Sequence, residues 1–185
     1  MSGPTTRIAV DVTFLRQDRP AATPAPQLPA DTTLVRATRP TVSFYRYLYH
    51  TVGAAYVWWL RRAMSDHDIA NMLSSPDVTL HVLYRFGEPA GFFELESRGA
   101  AVNISYFGLF PHAVGQGIGP AFLRASADAA WARKPLMLTV NTCTADHPRA
   151  LPNYLRAGFV PYRTMREIWD VPNRLGLNIP AHLRV

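Results

Sequence analysis

The sequence predicts a mixed α/β (α+β) domain: a mostly antiparallel sheet of six to seven strands with helices on both faces. Three observations predict it. The 185 residues are 48% hydrophobic and 17% charged, which is enough apolar material for one sizeable core. Short runs of strand period form a three-strand meander in the middle of the chain. Runs of helical period flank that meander, so the order reads β, α, α, β, β, β, α, β, α, β, a layered arrangement.

Each element follows from local chemistry. Arg7–Leu15 alternates as a short strand. Pro20, Pro24, Pro26 and Pro29 then exclude helix or inner strand, so residues 18–31 read as an extended linker. Residues 1–31 are therefore expected to be a strand arm and linker, laid on or loosely tied to a domain over 32–185. Thr33–Ala37 reads as a strand. After Pro40, Val42, Tyr45, Leu48, Tyr49 and Val52 fall at helical spacing, and Gly53 suits the helix end. Ser65 caps a second helix, with Asp68 three residues later, and Ile69, Met72 and Leu73 give its apolar stripe. Val78–Phe86, Ala90–Glu96 and Ala101–Phe110 form the meander, turning at Gly87-Glu88-Pro89 and Ser97-Arg98-Gly99. Gly115-Gln116-Gly117-Ile118-Gly119 leads into a helix reaching about Arg133. Leu136–Asn141 is a strand, Arg149–Ala157 a helix stopped by Gly158, and Phe159–Val171 the last strand. The tail to Val185 is punctuated by proline and reads as irregular.

Composition bounds the function. The net charge is +6; Lys134 is the only lysine, and the other eighteen cations are arginine. Arginine's planar fork suits phosphate and carboxylate. The arginines form no run, so the charge reads as a compositional bias or an anionic ligand, and nucleic acid is not expected as a partner. No apolar run approaches the ~20 residues of a membrane span, and the N-terminus lacks a signal layout, so a cytoplasmic protein with no membrane partner is expected. Cys143, the single cysteine, excludes an internal disulfide or thiolate cluster. His50, His67, His81, His112 and His182 lack ligand spacing, so no metal is expected.

The most informative stretch runs from Tyr106 to Leu123. A strand ends, a glycine-rich turn follows, and a helix begins. Backbone N–H groups at such a junction have no intrahelical partner, and the helix dipole adds positive charge there. Gly115, Gly117 and Gly119 remove side chains that would keep an anion away, so the turn can cradle a pyrophosphate or serve simply as a tight connection. A dinucleotide fingerprint belongs in the first βα unit of a parallel sheet, which this is not. The Gly-Lys-Ser/Thr of a triphosphatase loop is absent.

From roughly Thr33 to Asp170, the chain resembles the GCN5-related N-acetyltransferase (GNAT) superfamily. Leu109-Phe110-Pro111 is similar to that superfamily's V-x-P. Val114-Gly-Gln-Gly-Ile-Gly119 is similar to its Q/R-x-x-G-x-G/A loop. His147-Pro-Arg-Ala-Leu-Pro-Asn-Tyr-Leu-Arg-Ala-Gly-Phe159 is similar to its N-x-x-A-x-x-x-Y-x-x-x-G-F. Val114 departs where glutamine or arginine is usual, and His147 where asparagine is common. The resemblance implies an acyl-CoA N-acyltransferase fold, acetyl-CoA as co-substrate, and transfer of acetyl to a primary amine by direct attack in a ternary complex. It also implies a bulged strand splaying from its neighbour, with the pantetheine arm in the gap.

Carried over residue by residue, the resemblance has Leu109 N–H polarise the thioester carbonyl. It has Val114, Gly115, Gln116, Gly117, Ile118 and Gly119 hold the pyrophosphate, beside Leu109 and Phe110. Asn141 is expected either to bond the pantetheine amide or to end a strand, and His147 either to contact the cofactor or to neighbour a helix cap. Tyr154 is expected to protonate the departing thiolate, because a phenol stays protonated at neutral pH. For the base, Glu94 shares a strand face with Glu96, and paired carboxylates can raise one pKa. Asp146 with His147 is an alternative, as is no dedicated base. Cys143 is either an acyl carrier or an inert small residue. Tyr45, Tyr49, Tyr56, Trp58 and Trp59 are either core or an aromatic acceptor site. Arg61-Arg62 is either a solvated edge or an anion site. The acceptor is a small-molecule or peptide amine, and a homodimer is compatible with the sequence. The alternative function is a non-catalytic acyl-CoA-binding sensor or adaptor on the same fold.

Overall fold

A computed structural model describes residues 3–185. Seven strands form one sheet: β1 (Thr5–Gln17), β2 (Thr32–Ala37), β3 (Val78–Arg85), β4 (Glu88–Arg98), β5 (Ala101–Leu109), β6 (Met137–Cys143) and β7 (Val160–Pro172). Five helices accompany them: α1 (Val42–Val52), α2 (Leu60–Ala63), α3 (Asp66–Ser74), α4 (Gly119–Trp131) and α5 (Ala150–Arg156). The order β, α, α, β, β, β, α, β, α, β holds from β2 onward, with β1 added before it and the short α2 between the first two expected helices. The strand order is β2-β3-β4-β5-β6-β1-β7, and β5·β6 is the one parallel pair.

Caps and periodicity account for the helices. Thr41 accepts from the Phe44 N–H and starts α1, whose Tyr45, Leu48, Tyr49 and Val52 are buried. Ser65 accepts from the Asp68 N–H, and its hydroxyl donates to the Asp68 carboxylate at 2.6 Å. On one face of the sheet, Phe93, Leu95 and Ile104 pack with Phe122 and Leu123 of α4 and Tyr154 of α5. On the other face, Leu80, Val82 and Phe92 pack against α1 and Ile69 of α3.

The N-terminal arm is not loosely tied. Strand β1 lies inside the sheet, pairing with β6 over Val12–Gln17 and with β7 over Thr5–Arg16. The reason is its alternation: Ile8, Val10 and Val12 are at most 2% exposed and belong to a third core cluster. Its apolar side chains are buried by packing with Val57, Ile179 and Leu183 on the sheet face, and pairing on both edges satisfies its backbone. The linker is held as well, since Arg124 on α4 donates to the carbonyls of Thr23 and Ala21. The C-terminal tail folds back, adding Ile179 and Leu183 to the third cluster and bridging Arg184 to Ile8.

Candidate active site at the splayed strands

The site begins with a break in the sheet. Strands β5 and β6 pair only from Ala101↔Met137 to Ile104↔Val140, then diverge. The register of β4 on β5 jumps from Glu94↔Tyr106 to Leu95↔Ile104, which leaves Ser105 as the extra residue of a bulge. The bulge turns the end of β5 away from β6. Phe110 N–H donates to the Ala90 carbonyl at 2.8 Å. Antiparallel alternation therefore directs the Leu109 N–H away from β4, toward the gap.

The gap opens into a cavity of about 1180 Å³ that reaches both faces of the sheet. Leu109, Val114, Gly115, Gly117, Gly119, Asn141, His147 and Tyr154 all line it. At the α4 end, the N–H groups of residues 115–119 have no acceptor among the described residues. Gly115 and Gly117 have φ of +84° and +76°, and a Cβ on either would enter open space. The backbone thus demands glycine there, and the space in front of it is free for a ligand. Helix α4 has Ile118 as its N-cap residue and no side-chain cap bond, and its dipole points into the same space.

Three expected cofactor contacts are not on the wall. The Phe110 side chain is 2% exposed and packs with α1. Ile118 is core, because the helix start needs an apolar anchor. Gln116 turns outward, accepting from Arg85 and donating to the His112 carbonyl at 2.5 Å, so its side chain braces the loop. Arg85 also bonds Asp31 at 2.8 Å, tying the loop to the linker.

Tyr154 lies on the sheet-facing side of α5, 7% exposed, with its ring against Phe107 and Phe159. Its hydroxyl has no hydrogen-bond partner among the described residues, while the residue lines the cavity. Burial, and then the charge of Asp146, raises its pKa, which holds the phenol protonated. His147 Nδ1 accepts from the Arg149 N–H at 3.0 Å, the helix-neighbour role, while its ring edge meets Tyr56 within the cavity. Cys143 lies in β6, and burial followed by Asp146 pushes its thiol up to about 12, so it carries no thiolate for acyl transfer at neutral pH.

Glu94 is not brought to the cavity. Its carboxylate is fully buried, accepts from the Tyr45 hydroxyl at 2.5 Å and pairs with Arg61 at 2.7 Å. The expected partner Glu96 instead bonds Arg98 at 2.6 Å, and Arg98 and Ser105 hold its pKa low against burial. The structure therefore corrects the reading of a paired-carboxylate base. An acid between Phe93 and Leu95 in an apolar strand signals a buried charge that requires a cation. Arg61, likewise, is neither a solvated edge nor a free anion site.

The far side of the cavity is aromatic. Trp58 sits 5.1 Å from Tyr106 and 6.4 Å from Tyr56 between centroids, and Trp169 joins from β7. Sequence reasoning missed Trp169 and Glu167, because they reach the site only through the β1–β7 pairing. Tyr45, by contrast, is core.

No protein-family model and no curated protein matches the chain. Solved structures do. A tandem GNAT protein from the clavulanic acid biosynthesis pathway is 17% identical over 90% of this chain, with a TM-score of 0.61. A GCN5-related N-acetyltransferase from Sphaerobacter thermophilus is 17% identical over 92%, with a TM-score of 0.57. The chain has the GNAT fold. It spans 55% and 54% of the lengths of those two GNAT proteins, about half of each. An aminoglycoside acetyltransferase from an uncultured soil metagenomic sample is 13% identical over 69% of this chain and 87% of its own, with a TM-score of 0.56. In this GNAT fold, the central gap between β5 and β6 is the opening described above, and among the described residues no helix is long and apolar enough to cross a membrane.

Proposed function

We propose that the chain is an acetyl-CoA-dependent N-acetyltransferase that transfers acetyl to a primary amine by direct attack in a ternary complex. The observation that carries it is the coincidence, in one cavity, of the open glycine cradle, the splayed strands and the unpartnered hydroxyl of Tyr154. The free N–H groups of residues 115–119 suit a diphosphate, and the unpaired edge of β5 suits an extended amide-bearing arm. Acetyl-CoA supplies an activated acetyl thioester and leaves as a thiol.

The residues then divide the work. Leu109 N–H donates to the carbonyl oxygen as negative charge grows on it. The amine nitrogen attacks in its neutral form, an arriving ammonium having first lost one proton to solvent; it bonds the carbonyl carbon and gives up a second proton to solvent as the carbon–sulfur bond breaks. Tyr154 hands its proton to the departing sulfur and regains one from solvent, so protons balance. A raised phenol pKa suits this donor role and not that of a base.

Tyr154→Phe tests the reading. Turnover, followed as free-thiol release, is expected to fall about 100-fold, the usual scale of a lost proton donor. Acetyl-CoA affinity by calorimetry is expected to stay within about twofold, because the phenol acts on the sulfur only as it leaves. Unchanged turnover removes Tyr154 from its role. Acetyl-CoA binding without thiol release across a broad amine panel identifies the sensor alternative.

A further inference from the structure

The cavity wall carries four arginines, Arg61, Arg98, Arg149 and Arg156, and two carboxylates, Asp146 and Glu167. Arg61 is neutralised by Glu94. Glu167 accepts from the Trp169 indole at 2.8 Å, out on β7. Asp146 occupies a different place. It follows β6 at the mouth of the splay, bonded to Thr142, Cys143 and Trp58. Its Oδ2 accepts from the Thr142 hydroxyl at 2.8 Å and the Cys143 N–H at 3.0 Å. Its Oδ1 accepts only a long bond, 3.3 Å, from the Trp58 indole. Among the described residues, no cation lies within ion-pair distance of it.

A half-buried carboxylate without a cation is costly, the more so against an aromatic wall. In a chain of net charge +6, with four arginines around the same cavity, Asp146 has no cation partner; nor does Glu167, but that side chain lies out on β7, away from the mouth of the splay. Oδ1 meets Trp58 at the indole N–H edge, and Tyr56 lies 6.4 Å from Trp58 between centroids on the same cavity wall, so an apolar body can lie beside the carboxylate. We propose that Asp146 receives the ammonium of the acceptor, and that this acceptor is a primary amine on a single apolar or aromatic body and not a polycation. The inference rests on the acetyltransferase reading. A polycation would bring further ammonium groups toward Arg149 and Arg156 on the same wall, while Asp146 offers one charge. A monocationic arylalkylamine places its charge on Oδ1 and its body on Tyr56, Trp58 and Trp169.

The test uses 2-phenylethylamine, its neutral counterpart 2-phenylethanol, and kanamycin. With acetyl-CoA present, the wild type is expected to bind the amine at least about tenfold more tightly than the alcohol, and to acetylate it at least about tenfold more efficiently than kanamycin. Asp146→Asn is expected to lose the amine-over-alcohol preference. Thr142→Val, which removes one hydrogen bond to Asp146 but keeps the carboxylate, is expected to retain it, and this excludes a merely structural effect. Retained preference in Asp146→Asn, lost preference in Thr142→Val, or kanamycin as the better substrate overturns the proposal. Calorimetry with acetyl-CoA alone separates the two failures. A wild type that does not bind it defeats the acetyltransferase reading and this inference with it. Normal binding with an unchanged preference in Asp146→Asn defeats this inference only.

Discussion

Glu94 and Arg61 show what a single residue type can and cannot disclose. The pair is separated by 33 residues and joined only when α2 folds over β4. Nothing local marks it, so Glu94 reads from sequence as a candidate base. Tyr154 and the glycines at 115 and 117 are legible for the opposite reason: their roles depend on spacing within one strand–loop–helix unit. With Arg61 on one oxygen and Tyr45 on the other, Glu94 acts on stability. Glu94→Gln keeps the hydrogen-bonding shape but leaves Arg61 uncompensated, and is expected to cost about 3 kcal/mol in chemical denaturation. The pH dependence of turnover is expected to stay in place, because Glu94 does not face the cavity. A displaced acid limb would restore it as the base.

Among elements, the meander and the α4 turn were legible because period-2 alternation and turn chemistry lie within a dozen residues. The place of β1 was not, because strand pairing across more than 120 residues leaves no trace in local period. Yet β1 alone joins β7 to the rest of the sheet and so brings Trp169 and Glu167 to the cavity. The α4 turn makes a sharper prediction. At Gly117, with φ of +76°, a β-branched residue is strained and fills the space before the free N–H groups. Gly117→Val is expected to weaken acetyl-CoA binding at least about tenfold, since the side chain fills the cradle, while strain of about 1–2 kcal/mol falls on folding stability. Calorimetry showing equal affinity would move the diphosphate elsewhere.

Across the whole molecule, the response to acid has a buried origin. His81 stacks on Phe93 at 4.6 Å between centroids, and its Nδ1 is buried without a partner. Burial, then Arg36 and Arg133, lowers its pKa from 6.5 to about 4. The unfolded chain therefore binds this proton more readily than the folded one. The contribution is fully present above pH 6.5 and drains away as pH falls toward 4. Stability by urea denaturation is expected to decline across that window, and His81→Phe, which preserves the stack, to flatten the decline. An identical slope in the variant would assign it to other groups. The two ends of the chain hold a further consequence. Thr5 lies opposite Pro172 in the β1–β7 ladder, and the Asn173 N–H meets the Pro4 carbonyl at 3.0 Å. The tail then returns along β1, and the Val185 N–H meets the Arg7 carbonyl at 3.2 Å. A circular permutant opened in the exposed proline tract and closed by a short linker from the tail to Thr5 would carry β1 as its last strand. It should assemble the same cavity, with its slowest long-range pairing turned into a local one.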